Sequence, residues 1–286
     1  MLYKREGRVA RITLNSPENL NAFQFPRHEG GMTAELREKL DMARYDDEVT
    51  TVLIDAVGPS FSSGADVTHI GNVYEMGDGK ENKRRRPSQR VRLERDGELV
   101  GFFRDLMLFP KITVAQVQGV CLGLGFILVS ACDLAVAAED ARFMRSDQRM
   151  GLAGNSMDFN TLVHNIGLKR TMHYLLTGGT ISGTQAEEWG LVNQAVPAED
   201  LPEAGKKLAE QVSLYPRDGV AMGKALRALN FEALGLLQGM DVHQVGHTLF
   251  TNIRWEEDEY NYFRERRDHG HKAAYQARDS HYADGK

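Results

Sequence analysis

Apolar and polar positions alternate through residues 2–5 and 8–15, the period-two pattern of two paired strands. Between Ala34 and Arg44 the period changes to that of a helix, with Leu36, Leu40 and Ala43 on one side. Two short, continuously apolar runs follow, Thr51 to Val57 and Ile112 to Val117, which read as buried strands. Each leads into a glycine turn: Phe61-Ser62-Ser63-Gly64-Ala65-Asp66 after the first, and Gly119 to Gly125 after the second. A helix is expected from about Val91 to Leu108, preceded by a polar insertion, residues 78–87, without apolar periodicity. After a strand at Leu134-Ala135-Val136-Ala137, the pattern predicts helices around 158–176, 182–188 and 198–213. From about residue 215 it is helical throughout, ending in a polar tail from His269 to Lys286.

The second glycine turn carries the first chemical implication. Val117 to Gly125, followed by Ser130-Ala131-Cys132-Asp133-Leu134, reads as a strand whose turn opens a buried helix. The first N–H groups of a helix lack intrahelical acceptors and sit at the positive end of its dipole, so such a turn suits a developing oxyanion. The turn at Gly64 could aim a second N–H at the same point, and two donors polarise one carbonyl.

Composition narrows the classes. The chain has 286 residues, 42% of them hydrophobic and 26% charged, with a formal charge of −5, which fits neither a disordered chain nor a basic nucleic-acid binder. No apolar run approaches the roughly 18 residues that span a bilayer, and the first residues lack an apolar signal region, so a cytoplasmic location without membrane or nucleic-acid partners is expected. Cys121 and Cys132 read as small core residues, and no dinucleotide fingerprint or Cys/His metal set is present, so neither a redox cofactor nor a metal is expected.

Four ordered segments resemble the crotonase (enoyl-CoA hydratase/isomerase) superfamily. They are Ile12 to Glu18 with Leu20-Asn21-Ala22; Phe61 to Asp66; Gln118 to Gly125 with Ala131-Cys132-Asp133-Leu134; and Leu176-Thr177-Gly178 through Trp189-Gly190-Leu191-Val192-Asn193. The resemblance implies an α/β fold: a spiral of β-β-α turns over residues 1–200, followed by a helical trimerisation region over 201–286. A homotrimer or dimer of trimers is implied, as is an acyl-CoA thioester substrate, with coenzyme A entering only as part of it. On this alignment the backbone N–H groups of Ala65 and Leu124 form the oxyanion hole. Ser62, Gly64, Asp66, Gly123, Gly125, Ile127, Gly154 and Asn155 fall at substrate-binding positions, and Leu124 narrows the acyl slot.

The acid/base positions depart from those of two-glutamate hydratases. Ile127 stands at the first glutamate position and cannot transfer a proton; Asp147, in Ala141-Arg142-Phe143-Met144-Arg145-Ser146-Asp147, inherits the second. A solvated Asp147 paired with Arg145 or Arg149 is the bland alternative. The single carboxylate resembles double-bond isomerases and hydratase-lyases of the feruloyl-CoA type. Gly154-Asn155 is similar to a Gly-Asn of the latter, although direct spacing puts Ser156 at the asparagine, and Asp241 to His243 lie where those enzymes carry a tyrosine. Asp158 is a further candidate acid, with a helix N-terminal role the stronger reading. His243 and His247 stand one helical turn apart and could face a pocket or a helix interface. His28 and His69 are weaker candidates, and Lys80, Lys83 and Arg84 to Arg86 could meet a coenzyme A phosphate. Two rival functions remain open: a CoA-independent hydrolase of a carbon–carbon bond in a β-diketone, and a catalytically silent homologue.

Overall fold

The apolar runs become the strands of a largely parallel sheet. The computed structural model describes residues 1–24, 31–66, 88–153, 156–250 and 253–283. Leu2–Glu6 (β1) and Val9–Leu14 (β2) pair antiparallel across a turn at Gly7. Ala10, Ile12 and Leu14 point into the core. Met32–Tyr45 (α1) buries Met32, Leu36, Leu40 and Ala43 along one stripe, the face its periodicity predicts. Thr51–Ala56 (β3) runs parallel to β2, Ser60–Ser62 (β4) follows, and Gln89–Met107 (α2) begins at Ser88, whose hydroxyl accepts the Val91 N–H at 3.3 Å.

The same order then repeats. Ile112–Val117 (β5) pairs parallel with β3, Val120–Leu122 (β6) with β4, and Leu124–Ala131 (α3) follows. Leu134–Ala138 (β7) pairs parallel with β5, and Arg142–Met144 (β8) with β6. Phe159–Ile166 (α4) and Leu168–Thr177 (α5) are separated at Gly167, where φ is 80° and ψ 155°, so the single helix expected over 158–176 is two. Thr180–Ser182 (β9), Gly183–Trp189 (α6) and Gln194–Val196 (β10) complete the sheets. The large sheet has the order β1-β2-β3-β5-β7-β10 and the small one β4-β6-β8-β9. The three turns that begin at β3, β5 and β7 thus each place one strand in each sheet, and the turns stack as a spiral.

Among the described residues, every regular element after β10 is a helix: Leu201–Ser213 (α7), Arg217–Ala233 (α8), Leu236–Leu249 (α9) and Tyr262–Ala283 (α10), the last kinked at Gly270. Lys224 of α8 reaches Asp133 at 2.6 Å, while the Thr113 N–H donates to the same carboxylate, tying α8 to the sheet. The expected polar tail is corrected here. α10 buries Tyr262, Ala274 and Arg278, because a few apolar and aromatic positions among its charges form one packed face.

Candidate functional site

The site begins where two parallel strands of the small sheet end side by side. β4 leads to Gly64, with φ of 86°, and β6 to Gly123, with φ of 54° and ψ of −113°; both conformations favour glycine. The turns are packed back to back: a Cβ on Gly64 would lie 2.6 Å from the Leu122 carbonyl oxygen and 3.3 Å from the Gly123 Cα. Gly125 is needed for a different reason, since its Cβ would lie 2.6 Å from that of Ser62, so α3 could not settle on β4.

The hydrogen bonds around these turns single out two donors. The Ser63 N–H donates to the Leu20 carbonyl, that of Gly64 to the Ser62 hydroxyl and that of Asp66 to the Phe23 carbonyl. Among the described residues, Ala65 N–H is left without an acceptor. Leu124 is the first residue of α3, so its N–H has no intrahelical acceptor and lies at the positive end of the helix dipole. Ala65 and Leu124 both line one cavity of about 170 Å³, together with Gly123, Ile127, Asp147 and His243. Ser62, Gly64, Asp66 and Gly125 stand behind that wall: the Ser62 hydroxyl donates to the Asn21 carbonyl at 2.7 Å, and Asp66 accepts from Gln24 at 3.1 Å. Gly154, Asn155, His28, His69 and the basic run 80–86 lie outside the described residues.

Asp147 follows β8, and its carboxylate, about one third exposed, lies 3.4 Å from the guanidinium of buried Arg145. The same guanidinium lies 3.7 Å from Asp158, donates to the Gly123 carbonyl at 3.2 Å and sits over the Phe126 ring. Burial opposes the Arg145 charge, yet Asp158 and then Asp147 outweigh it and hold the guanidinium more firmly protonated than usual. Asp158 itself is buried, accepts from the Ser156 and Ser130 hydroxyls, and does not line the cavity. It anchors the arginine, and the arginine fixes both Asp147 and the carbonyl of the glycine turn. Sequence reasoning paired Arg145 with Asp147 but missed its link to Asp158, because that convergence is made by the fold.

The opposite wall comes from the C-terminal helices. His243 and His247 of α9 both line the cavity with rings stacked at 5.2 Å. Phe250, Trp255, Tyr262, Phe263 and Tyr275 add an aromatic surface in which Trp255 lies 5.8 Å and Tyr262 5.4 Å from the Phe263 ring. Of these only Tyr275 falls in the polar tail expected from His269 onward; the others lie in the preceding segment, where Trp255, Tyr260, Tyr262 and Phe263 clustered among charges were the available signal.

A family model for enoyl-CoA hydratase/isomerase matches residues 4–273. The chain belongs to that family. It is 31% identical over 219 residues to the 1,2-epoxyphenylacetyl-CoA isomerase of Escherichia coli strain K12, covering 77% of this chain and 78% of that one. It is 28% identical over 209 residues to the hydroxycinnamoyl-CoA hydratase-lyase of Pseudomonas fluorescens, covering 72% and 70%. Its fold is similar to the crystal structure of an enoyl-CoA hydratase/isomerase from Xanthobacter autotrophicus Py2, with a TM-score of 0.79, 27% identity and coverage of 98% and 97%.

Proposed function

We propose that this member of the enoyl-CoA hydratase/isomerase family processes a CoA thioester with a flat or aromatic acyl group. In this reading the Ala65 and Leu124 N–H groups hold the thioester oxygen, and Asp147 moves a proton beside the enolate that they stabilise. The observation that carries it is the back-to-back packing of the Gly64 and Gly123 turns, which sets both donors on the cavity that Asp147 lines. Asp147 is the carboxylate among the described lining residues, with Ile127 beside it. That favours double-bond isomerisation or hydratase-lyase chemistry over addition of water assisted by two glutamates. The aromatic wall of Phe250, Trp255, Phe263 and Tyr275 supports the acyl class, since ring stacking favours flat groups.

A homotrimer or dimer of trimers is part of the same proposal. Apolar side chains stand exposed at helical spacing on α5 (Leu168, Met172, Leu176), α8 (Met222, Leu226, Leu229) and α9 (Val242, Val245, Leu249), faces suited to other copies of the chain.

Exchange of the α-hydrogens of phenylacetyl-CoA in deuterated water, followed by mass spectrometry, tests the proton-transfer role. Asp147→Asn should slow exchange by roughly 10²–10⁴-fold while leaving the fold intact. Undiminished exchange would remove Asp147 from the role. Failure to bind either acetoacetyl-CoA or free coenzyme A would move the reading toward the CoA-independent diketone hydrolase or the silent homologue.

A further inference from the structure

α2 and α9 pack together so that a buried carboxylate orients a histidine on the cavity wall. Asp96 is 1% exposed. Its Oδ1 lies 3.0 Å from Nδ1 of His247, its Oδ2 accepts the Thr248 hydroxyl at 2.9 Å, and the Arg92 guanidinium lies 3.3 Å away. Burial disfavours the Asp96 charge, but His247, Arg92 and Thr248 together outweigh it and hold the carboxyl below the usual range. The Arg92 guanidinium lies 3.5 Å from the same Nδ1, but an ionised carboxylate only accepts, so across the shorter 3.0 Å contact Nδ1 of His247 donates to Asp96 and Nε2 is the nitrogen assigned to proton transfer. Stacking on His243 at 5.2 Å and an edge contact with Phe250 at 5.1 Å fix the ring from two further sides, and the Arg92 hydrogen bond to the His247 carbonyl at 3.2 Å ties α9 to α2. Arg92 already balances Asp96 within α2, so neutralising the buried charge does not require a histidine. What His247 adds is a titratable group on the wall of the cavity that Asp147 lines and where Ile127 transfers no proton.

We propose that His247, positioned by Asp96, is a second acid–base catalytic residue of this site, and that with Asp147 it equips the chain to add water to an enoyl thioester. The proposal rests on the thioester reading above. His247, its Nδ1–H held by Asp96, takes a proton from water at Nε2 as the oxygen lone pair forms the bond to Cβ. The Cα–Cβ π pair moves toward the thioester, placing the negative charge on the oxygen held by Ala65 and Leu124. Protonated Asp147 then gives its proton to Cα as the enolate electrons return, and the proton taken by His247, held as an imidazolium beside Asp96, passes back to Asp147 through solvent. The balance is one water and one enoyl thioester to one 3-hydroxyacyl thioester. The imidazole touches Arg92 and Asp96 of α2, His243 of its own helix and the Phe250 ring, and the cavity it lines also carries Arg145, Asp147, Tyr262, Arg266 and Tyr275.

The test compares wild type, His247→Gln and Asp96→Asn with crotonyl-CoA and cinnamoyl-CoA as probes, following loss of the enoyl absorbance as a function of pH. Acetoacetyl-CoA binding and its enolate band serve as the measure of the oxyanion hole. His247→Gln should lower kcat for hydration by roughly 10²–10⁴-fold, erase the acid limb of the profile and leave the enolate band unchanged. Asp96→Asn removes the charge that favours the imidazolium without removing the ring, so it should move the acid limb to lower pH. That shift still reads the proposal if the glutamine variant does not fold. Hydration by His247→Gln within twofold of wild type, or an unmoved limb in Asp96→Asn, overturns it. A wild type that forms the enolate band but hydrates neither probe overturns the His247 role and spares the thioester reading, whereas absence of the band defeats the thioester reading itself.

Discussion

Substituting Gly64 by alanine should damage the two glycine turns more than the same change at Gly123, and the difference follows from geometry. At Gly123 a Cβ meets only the Gly64 Cα at 3.7 Å, an ordinary contact, so the cost is backbone strain at φ of 54°, about 1–3 kcal/mol. At Gly64 a similar strain at φ of 86° is joined by a Cβ held 2.6 Å from a backbone carbonyl oxygen. Relieving that overlap forces the turns apart and adds about 1–3 kcal/mol. The Gly64→Ala total of about 2–6 kcal/mol corresponds to a fall in Tm of roughly 5–20 °C for a chain of this size. Separation of the turns also moves the Ala65 N–H away from that of Leu124, and losing one oxyanion donor costs roughly 10²–10³ in rate. Thermal melting monitored by circular dichroism and exchange of phenylacetyl-CoA α-hydrogens measure the two effects independently. If Gly64→Ala melts within about 2 °C of wild type, or is less damaged than Gly123→Ala, the back-to-back packing does not constrain the site as argued.

Asp158→Asn leaves buried Arg145 with Asp147 as its remaining carboxylate, so it should destabilise by about 2–3 kcal/mol, below the range for a fully orphaned charge, as urea unfolding would show; an unchanged midpoint would deny Asp158 its anchoring role. The Asp96 carboxyl has a folded value below its ordinary 3.8, so its stabilising contribution is fully present above that pH and disappears as pH falls through the folded value. The stability gap between wild type and Asp96→Asn should therefore be present at pH 5 and shrink below about pH 4, which melts across that range can follow. The Cys132 thiol is pushed up to about 12 by burial and by Asp133, and burial alone raises Cys121. Neither should react with iodoacetamide at pH 8 until the protein unfolds, and mass spectrometry of the native chain should find both unmodified.

The large sheet was legible apart from the three-residue β10, because its other strands carry enough residues to show a period: the alternation of Val9 to Leu14 and the continuous apolar runs at 51–56 and 112–117 appear in the structure within a residue of their expected ends. The small sheet was not, since Ser60–Ser62, Val120–Leu122, Arg142–Met144 and Thr180–Ser182 hold three residues each, too few to display alternation. The glycine turns were readable from composition alone, because positive φ and close backbone approach leave few alternatives to Gly64 and Gly123. What sequence could not provide was convergence. Arg145 joins Asp147 to Asp158 eleven residues later, and Asp96 meets a histidine 151 residues away. The aromatic wall was obscured for a related reason: α10 packs through a few positions while most of its residues remain charged and exposed, so its mean composition resembles a tail.

The central claim is that the turns at Gly64 and Gly123 together form a working thioester oxyanion hole. Calorimetric titration with acetoacetyl-CoA, with free coenzyme A as a separate ligand and the ultraviolet enolate band recorded throughout, tests it most directly. Saturable binding of the thioester with an enhanced enolate band, weakened in Gly64→Ala, is the predicted result. Binding of neither compound, or thioester binding with no enhancement of the band, would contradict it.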